Sequence, residues 1–208
     1  TPEATTPEAT TPEATTPEGT TPEATNPQDP DSGSTLSNED AALYASQLQD
    51  AMKGGFFFGL GTDDEQFASI MDNENLTSAD WVKIIKSYNE QYGSFIKDVD
   101  DDFSGETQDK YQAKIANVLL EAAENGDSEA IDLLCEEFYN GTAGQWLTAD
   151  EFVATIFENA SDEVLAQMAR RYNSVTGSDI FKDIKGDFSF GTEDSYIARI
   201  NEAIINSR

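Results

Sequence analysis

The second half of this chain repeats the first at almost constant spacing, and nothing else in the sequence constrains the fold as strongly. Phe95-Ile96-Lys97-Asp98-Val99 returns as Ile180-Phe181-Lys182-Asp183-Ile184, and Asp102-Phe103-Ser104 returns as Asp187-Phe188-Ser189. Asp109, Tyr111, Ala113 and Ile115 return as Asp194, Tyr196, Ala198 and Ile200, so that all of these pairs stand 85 apart. Thr62-Asp63-Asp64-Glu65 matches Thr148-Ala149-Asp150-Glu151 at 86, and Tyr88-Asn89 matches Tyr172-Asn173 at 84. Such self-similarity marks units that bury one face against each other.

Each unit reads as helices. Ser37-Asn38-Glu39-Asp40 is a helix start, followed by apolar Ala42, Leu43, Leu48 and Met52. Thr62 to Glu65 has the form of a capping box with Thr62 as N-cap, before Phe67, Ile70 and Met71 at helical spacing. Thr77-Ser78-Ala79-Asp80 opens a third helix bearing Trp81, Ile84, Ile85, Tyr88 and Tyr92, stopped by Gly93. Phe95, Ile96, Val99 and Phe103 give a short fourth, and Tyr111 to Ala122 a fifth, ended by Asn125-Gly126. The expectation is an all-α fold of two five-helix units, 38–125 and 126–208, with no strand.

Residues 1–37 differ in kind. Five Thr-Pro-Glu-Ala-Thr pentads, one carrying Gly19, put proline at every fifth position and cannot build an apolar face. They read as an extended, self-repelling spacer, either a plain tether or a stalk of the sort that joins modules of secreted or wall-attached proteins. The chain opens on Thr1 with neither initiator Met nor signal peptide, which reads as a processed or excised piece.

Forty-one acidic residues against twelve basic ones give a net charge of −29, which excludes unaided binding to nucleic acid or to an anionic lipid surface. With no histidine, triads and imidazole bases are unavailable. The single Cys135, within Ile131-Asp132-Leu133-Leu134-Cys135, reads as a small core residue. No run of about eighteen apolar residues exists to span a membrane.

The motif that carries chemistry is Gly59-Leu60-Gly61-Thr62-Asp63, followed by Asp100-Asp101-Asp102. Glycines expose backbone carbonyls, and carbonyls together with a distant carboxylate suit a hard cation such as Ca²⁺. The bland alternative is an ordinary helix–helix loop. Acids at Asp98, Asp100 and Asp102 also invite comparison with an EF-hand, but Phe103 stands where that loop needs glycine. Glu136-Glu137 has no second acid placed across a cleft, reads as a solvated face, and supports no enzyme activity.

Met52-Lys53-Gly54, Gly59-Leu60-Gly61-Thr62-Asp63 and Asp102 before Phe103-Ser104-Gly105 together resemble an annexin repeat. The resemblance covers 38–208 as two annexin-like repeats, the second divergent. It implies a non-enzymatic Ca²⁺-dependent module that binds anionic phospholipid membranes. Carried over, the carbonyls of Phe57, Gly59 and Gly61 and the carboxylate of Asp102 would hold the ion. In the second repeat the matching positions are the carbonyls of Ala143, Gln145 and Leu147 and the acid Asp187, without the motif glycines. The insertion Gly55-Phe56-Phe57-Phe58 lengthens the first loop.

Phe56, Phe57 and Phe58, with Trp146 in the matching loop, either enter a membrane interface or fold back into the core. A rival function is a metal-free structural or adhesion module on a Thr-Pro stalk. The stalk points outside the cell, as do the sequons at Asn75, Asn140 and Asn159, whereas the resemblance alone points to a cytoplasmic, membrane-associated protein. A two-repeat unit leaves one face uncovered, which makes a homodimer plausible.

Overall fold

The computed structural model describes residues 33–53, 63–142, 150–188 and 192–208, with the side chain of Asp187 left aside. Among these residues there are ten helices and no strand. The first half holds α1 (Asn38–Met52), α2 (Asp64–Met71), α3 (Ser78–Tyr92), α4 (Phe95–Asp102) and α5 (Gly105–Glu124). The second holds α6 (Ser128–Thr142), α7 (Asp150–Asn159), α8 (Asp162–Thr176), α9 (Ile180–Asp187) and α10 (Thr192–Asn206). The all-α expectation is met.

Local chemistry sets most boundaries. Ser37 caps α1 by accepting from Asp40 N at 3.1 Å. Thr77 and Asp80 form a reciprocal capping box on α3. Helix α2 corrects one expectation: its N-cap is Asp63, whose Oδ1 accepts from Gln66 N at 3.0 Å, one residue beyond Thr62. Phe103 falls just outside α4 as its C-cap. Gly93 and Gly177 end α3 and α8 at φ +102° and +74°, a region that side chains rarely enter.

Within each half the first helix packs on the second, third and fourth, and the fourth and fifth pack on each other. The halves are not independent, because α5 lies against both α6 and α7, and α4 against α6. One apolar core runs through both, from Ala41 and Leu48 to Ile200 and Ala203. Phe67 is fully buried and meets Phe95, Phe103 and Tyr111, joining α2 to α4 and α5. Cys135 is buried as expected, and burial pushes its thiol up to about 12, so it is inert as a nucleophile.

Buried carboxylates do the positioning. Asp80 is fully buried and accepts from Thr35 N at 2.7 Å, Leu36 N at 2.9 Å and the Ser34 hydroxyl at 2.8 Å. The chain's hold on the bundle therefore begins ahead of α1. No helix among the described residues is long and apolar enough to cross a membrane.

Candidate metal and membrane site

The first-half loop starts where α1 ends at its C-cap, Lys53, whose N–H bonds to Gln49 O at 3.0 Å. It returns at Asp63, whose N–H donates to Ala51 O at 2.7 Å. Lys53 and Asp63, which flank segment 54–62, are thus both bonded to the last turn of α1. Phe56, Phe57, Phe58, Gly59 and Gly61 fall within that segment, outside the described residues, and Ala143, Gln145, Trp146 and Leu147 of the second-half loop are outside them as well.

Asp102, the acid expected to complete the site, is the last residue of α4 and is exposed. Partial burial pushes its carboxyl above the ordinary carboxylate range, and Asp98 and Asp101 push it the same way. Lys53 pulls it down, so the end of α1 and the end of α4 are within electrostatic reach of each other. Helix α1, which ends at the base of the loop, packs on α4, which ends at Asp102, 49 residues beyond Lys53 in the chain. Lys97 pairs with Asp101 and leaves the local balance negative.

A hard divalent cation would relieve that crowding, and carboxylate oxygen is its preferred donor. Among the described residues no group of three or more Asp, Glu or Cys side chains is gathered to hold an ion. Asp102 can supply one ligand, and the remainder would come from loop oxygens. In the second half, α9 ends at Asp187 as α4 ends at Asp102.

Tyr88 fixes the orientation of α4. Its buried phenol donates to Asp98 Oδ2 at 2.6 Å, four residues before Asp102, with Gln49 Oε1 at 3.1 Å. Sequence reasoning placed Tyr88 in an apolar stripe and missed this bond. Its only signal was the pairing of Tyr88 and Asp98 with Tyr172 and Asp183 in the repeat.

Glu137 corrects another expectation. Instead of a solvated acid it is fully buried, on α6, and it caps α4 from the other half. It accepts from Asn89 Nδ2 and the Ser94 hydroxyl, each at 2.6 Å, from Ile96 N at 3.1 Å and from Phe95 N at 3.3 Å. This is a structural anion at a helix N-terminus, with every donor aimed at it. Gln112 makes the reciprocal link. Its Oε1 accepts from Glu151 N at 3.2 Å and Phe152 N at 3.4 Å, and its Nε2 donates to Asp100 Oδ1 at 2.9 Å.

The chain matches no protein-family model. It is similar in sequence to mouse annexin A5, with 27% identity over 158 residues covering 74% of this chain and 46% of that protein. Mouse annexin A6 is 24% identical over 148 residues, covering 70% of this chain and 20% of the relative. The chain thus spans about half the length of annexin A5 or less of each relative. Solved structures that it matches include calcium-bound annexin (Sm)1, at TM-score 0.36 and 18% identity over 80% of this chain and 44% of that one. Annexin III matches at TM-score 0.34 and 24% identity, over 78% and 48%. The sequence likeness and the helical plan agree with the annexin resemblance read from the motifs.

Proposed function

We propose that this annexin-like chain is a non-catalytic, Ca²⁺-dependent module, built as repeats 38–125 and 126–208, that adheres to anionic phospholipid. The observation that supports the reading is the packing of α1 on α4: the first loop leaves from the last turn of α1, and Asp102 is the last residue of α4. In the proposal Asp102 and the carbonyls of Phe57, Gly59 and Gly61 hold the ion, and its open side meets a phosphate. Phe56, Phe57, Phe58 and Trp146 then enter the interface. The charge of −29 supports a metal switch, because the metal-free chain is repelled by anionic lipid. The Thr-Pro pentads support display outside the cell.

Gln145 and Leu147, standing where the motif has glycine, favour a second reading for the 126–208 repeat: architecture kept and metal lost. The test is calorimetric titration of Ca²⁺ into the full chain, followed by co-sedimentation with phosphatidylserine vesicles. Asp102→Ala is expected to abolish the heat and the co-sedimentation, and Asp187→Ala to leave both. Unchanged binding in Asp102→Ala would sink the proposal. No heat at millimolar calcium with wild type would favour the metal-free adhesion module.

A further inference from the structure

The two ends of the molecule expose the residues that its middle buries. Helices α1 and α6 are both fifteen residues long and start 90 positions apart. On that correspondence Ala41, Ala45 and Leu48 match Ile131, Cys135 and Phe138, and all six are buried. Leu43 matches Leu133, yet Leu43 is 56% exposed and Leu133 only 4%. The difference is the neighbour: α6 has α5 packed against it, and among the described residues no helix stands in the equivalent place beside α1.

Helices α5 and α10 show the same contrast from the other side, at the spacing of 85. Helix α5 buries eight residues and α10 only Ile200 and Ala203. Leu120 is 4% exposed, and its counterpart Ile205 is 66% exposed. Leu119 is fully buried, while its counterpart Ile204 is half-buried. Gln112, which reaches α7 across the internal interface, is replaced by half-buried Ile197. Leu43 and Ile205 are the two most exposed large apolar side chains among the described residues, and both stand at positions matching internal interface residues.

We infer that α10 of one copy docks on the α1 face of a second copy of this chain, repeating between copies the packing of α5 on α6 within one. Such an interface is heterologous, joining two different patches. Charge favours this pairing of faces. Leu43 shares its side of α1 with Glu39 and Asp40, and α1 has no basic residue. Glu202 stands one turn before Ile205, but Arg208 follows it and Arg170 on α8 reaches the same end through its bond to Ser207 Oγ at 2.8 Å, so two cations stand against one acid there. The polar pins are not repeated, since Gln47 stands at the place of Glu137 and α9 is capped by its own Asp179. The contact is therefore apolar with a charged rim, and weaker than the internal one.

Sedimentation velocity on the full chain in EDTA, across a concentration series, tests this independently of metal and lipid. The expected result is a mass that rises to at least two copies. Leu43→Asp and Ile205→Asp are each expected to weaken association at least about tenfold while far-UV dichroism is unchanged. An equimolar mixture of the two variants should recover a two-copy species, because each keeps the face that the other lacks. A wild-type chain that stays monomeric at its highest soluble concentration would overturn the inference, as would association unaffected by either substitution. Tyr92→Ser, at the third exposed large apolar side chain among the described residues, is the control and should leave the mass as in wild type.

Discussion

Tyr88 and Asp98 are joined by a 2.6 Å hydrogen bond, and their repeat counterparts Tyr172 and Asp183 by one of 2.9 Å. Both phenols are fully buried, and both have their ionisation pushed up by burial and then by the carboxylate they serve. The third helix of each half therefore holds the fourth by the same device. In the first half that fourth helix carries Asp102 at its end.

Removing the phenolic oxygen leaves a shielded carboxylate with its donor gone. Tyr88→Phe should cost about 1.5–3 kcal/mol, the range for a hydrogen bond to a charged group. Tyr172→Phe should cost less, because Asp183 keeps the Ser178 hydroxyl at 2.8 Å as a donor. Thermal unfolding of both variants measures this, and an equal loss in the two would show that the Ser178 hydroxyl does not compensate in the second half.

Gln112 ties the halves by satisfying two N–H groups at the start of α7 while holding Asp100. Gln112→Leu keeps the volume and strands those groups, so the urea midpoint should fall by the equivalent of about 1–3 kcal/mol. Ile197→Gln, at the matching place on α10, has no helix to cap among the described residues and should cost only the packing of a half-buried side chain on the core, about 1 kcal/mol.

Two buried carboxylates give stability opposite pH slopes. At Asp80 burial pushes the carboxyl up, but bonds from Thr77, Ser34 and Leu36 outweigh it and hold the group at about 2. A folded value below the unfolded one, about 3.9, stabilises above the unfolded value by about 2.5 kcal/mol. That contribution disappears as pH falls from about 4 toward 2, and Asp80→Asn should remove the slope there. Glu137 is raised, by burial, against the donors of Ser94, Asn89, Ile96 and Phe95. Its contribution is present at low pH and lost as pH rises above about 4.3, the unfolded value. Urea titrations at successive pH values should show this second slope in wild type and not in Glu137→Gln.

The helices were legible because their signals are local. Ser37, Thr77 with Asp80, Gly93 and Gly126 each act on the nearest turn, and the apolar stripes of α3 and α5 follow the helical period. Thr62 and Asp63 are both competent N-caps, and sequence alone does not separate two adjacent ones. Glu137 was misread because nothing near it in the chain differs from a solvated acid; its donors come from residues more than forty positions away. Gln112 was silent for the same reason. Of the candidate site, the approach of Asp102 to the base of the loop follows from α1 packing on α4, which periodicity does not encode.

Lys53 and Asp102 should act on calcium in opposite directions. The ammonium at the base of the loop favours ionised Asp102 but repels an arriving cation, and a Ca²⁺ ion would occupy the same field. If Asp102 is a ligand, Asp102→Ala removes a charged oxygen and should lower affinity by at least about tenfold. Lys53→Ala removes a competing charge and should raise it, by a few-fold at low salt and less at high salt, because exposed charges are screened. Calorimetry at two ionic strengths distinguishes this from a structural effect of Lys53, whose Nζ also lies 6.0 Å from the Tyr92 ring. Weaker binding in Lys53→Ala at both salt concentrations would mean that the lysine shapes the loop through that ring, and that its charge does not govern the ion.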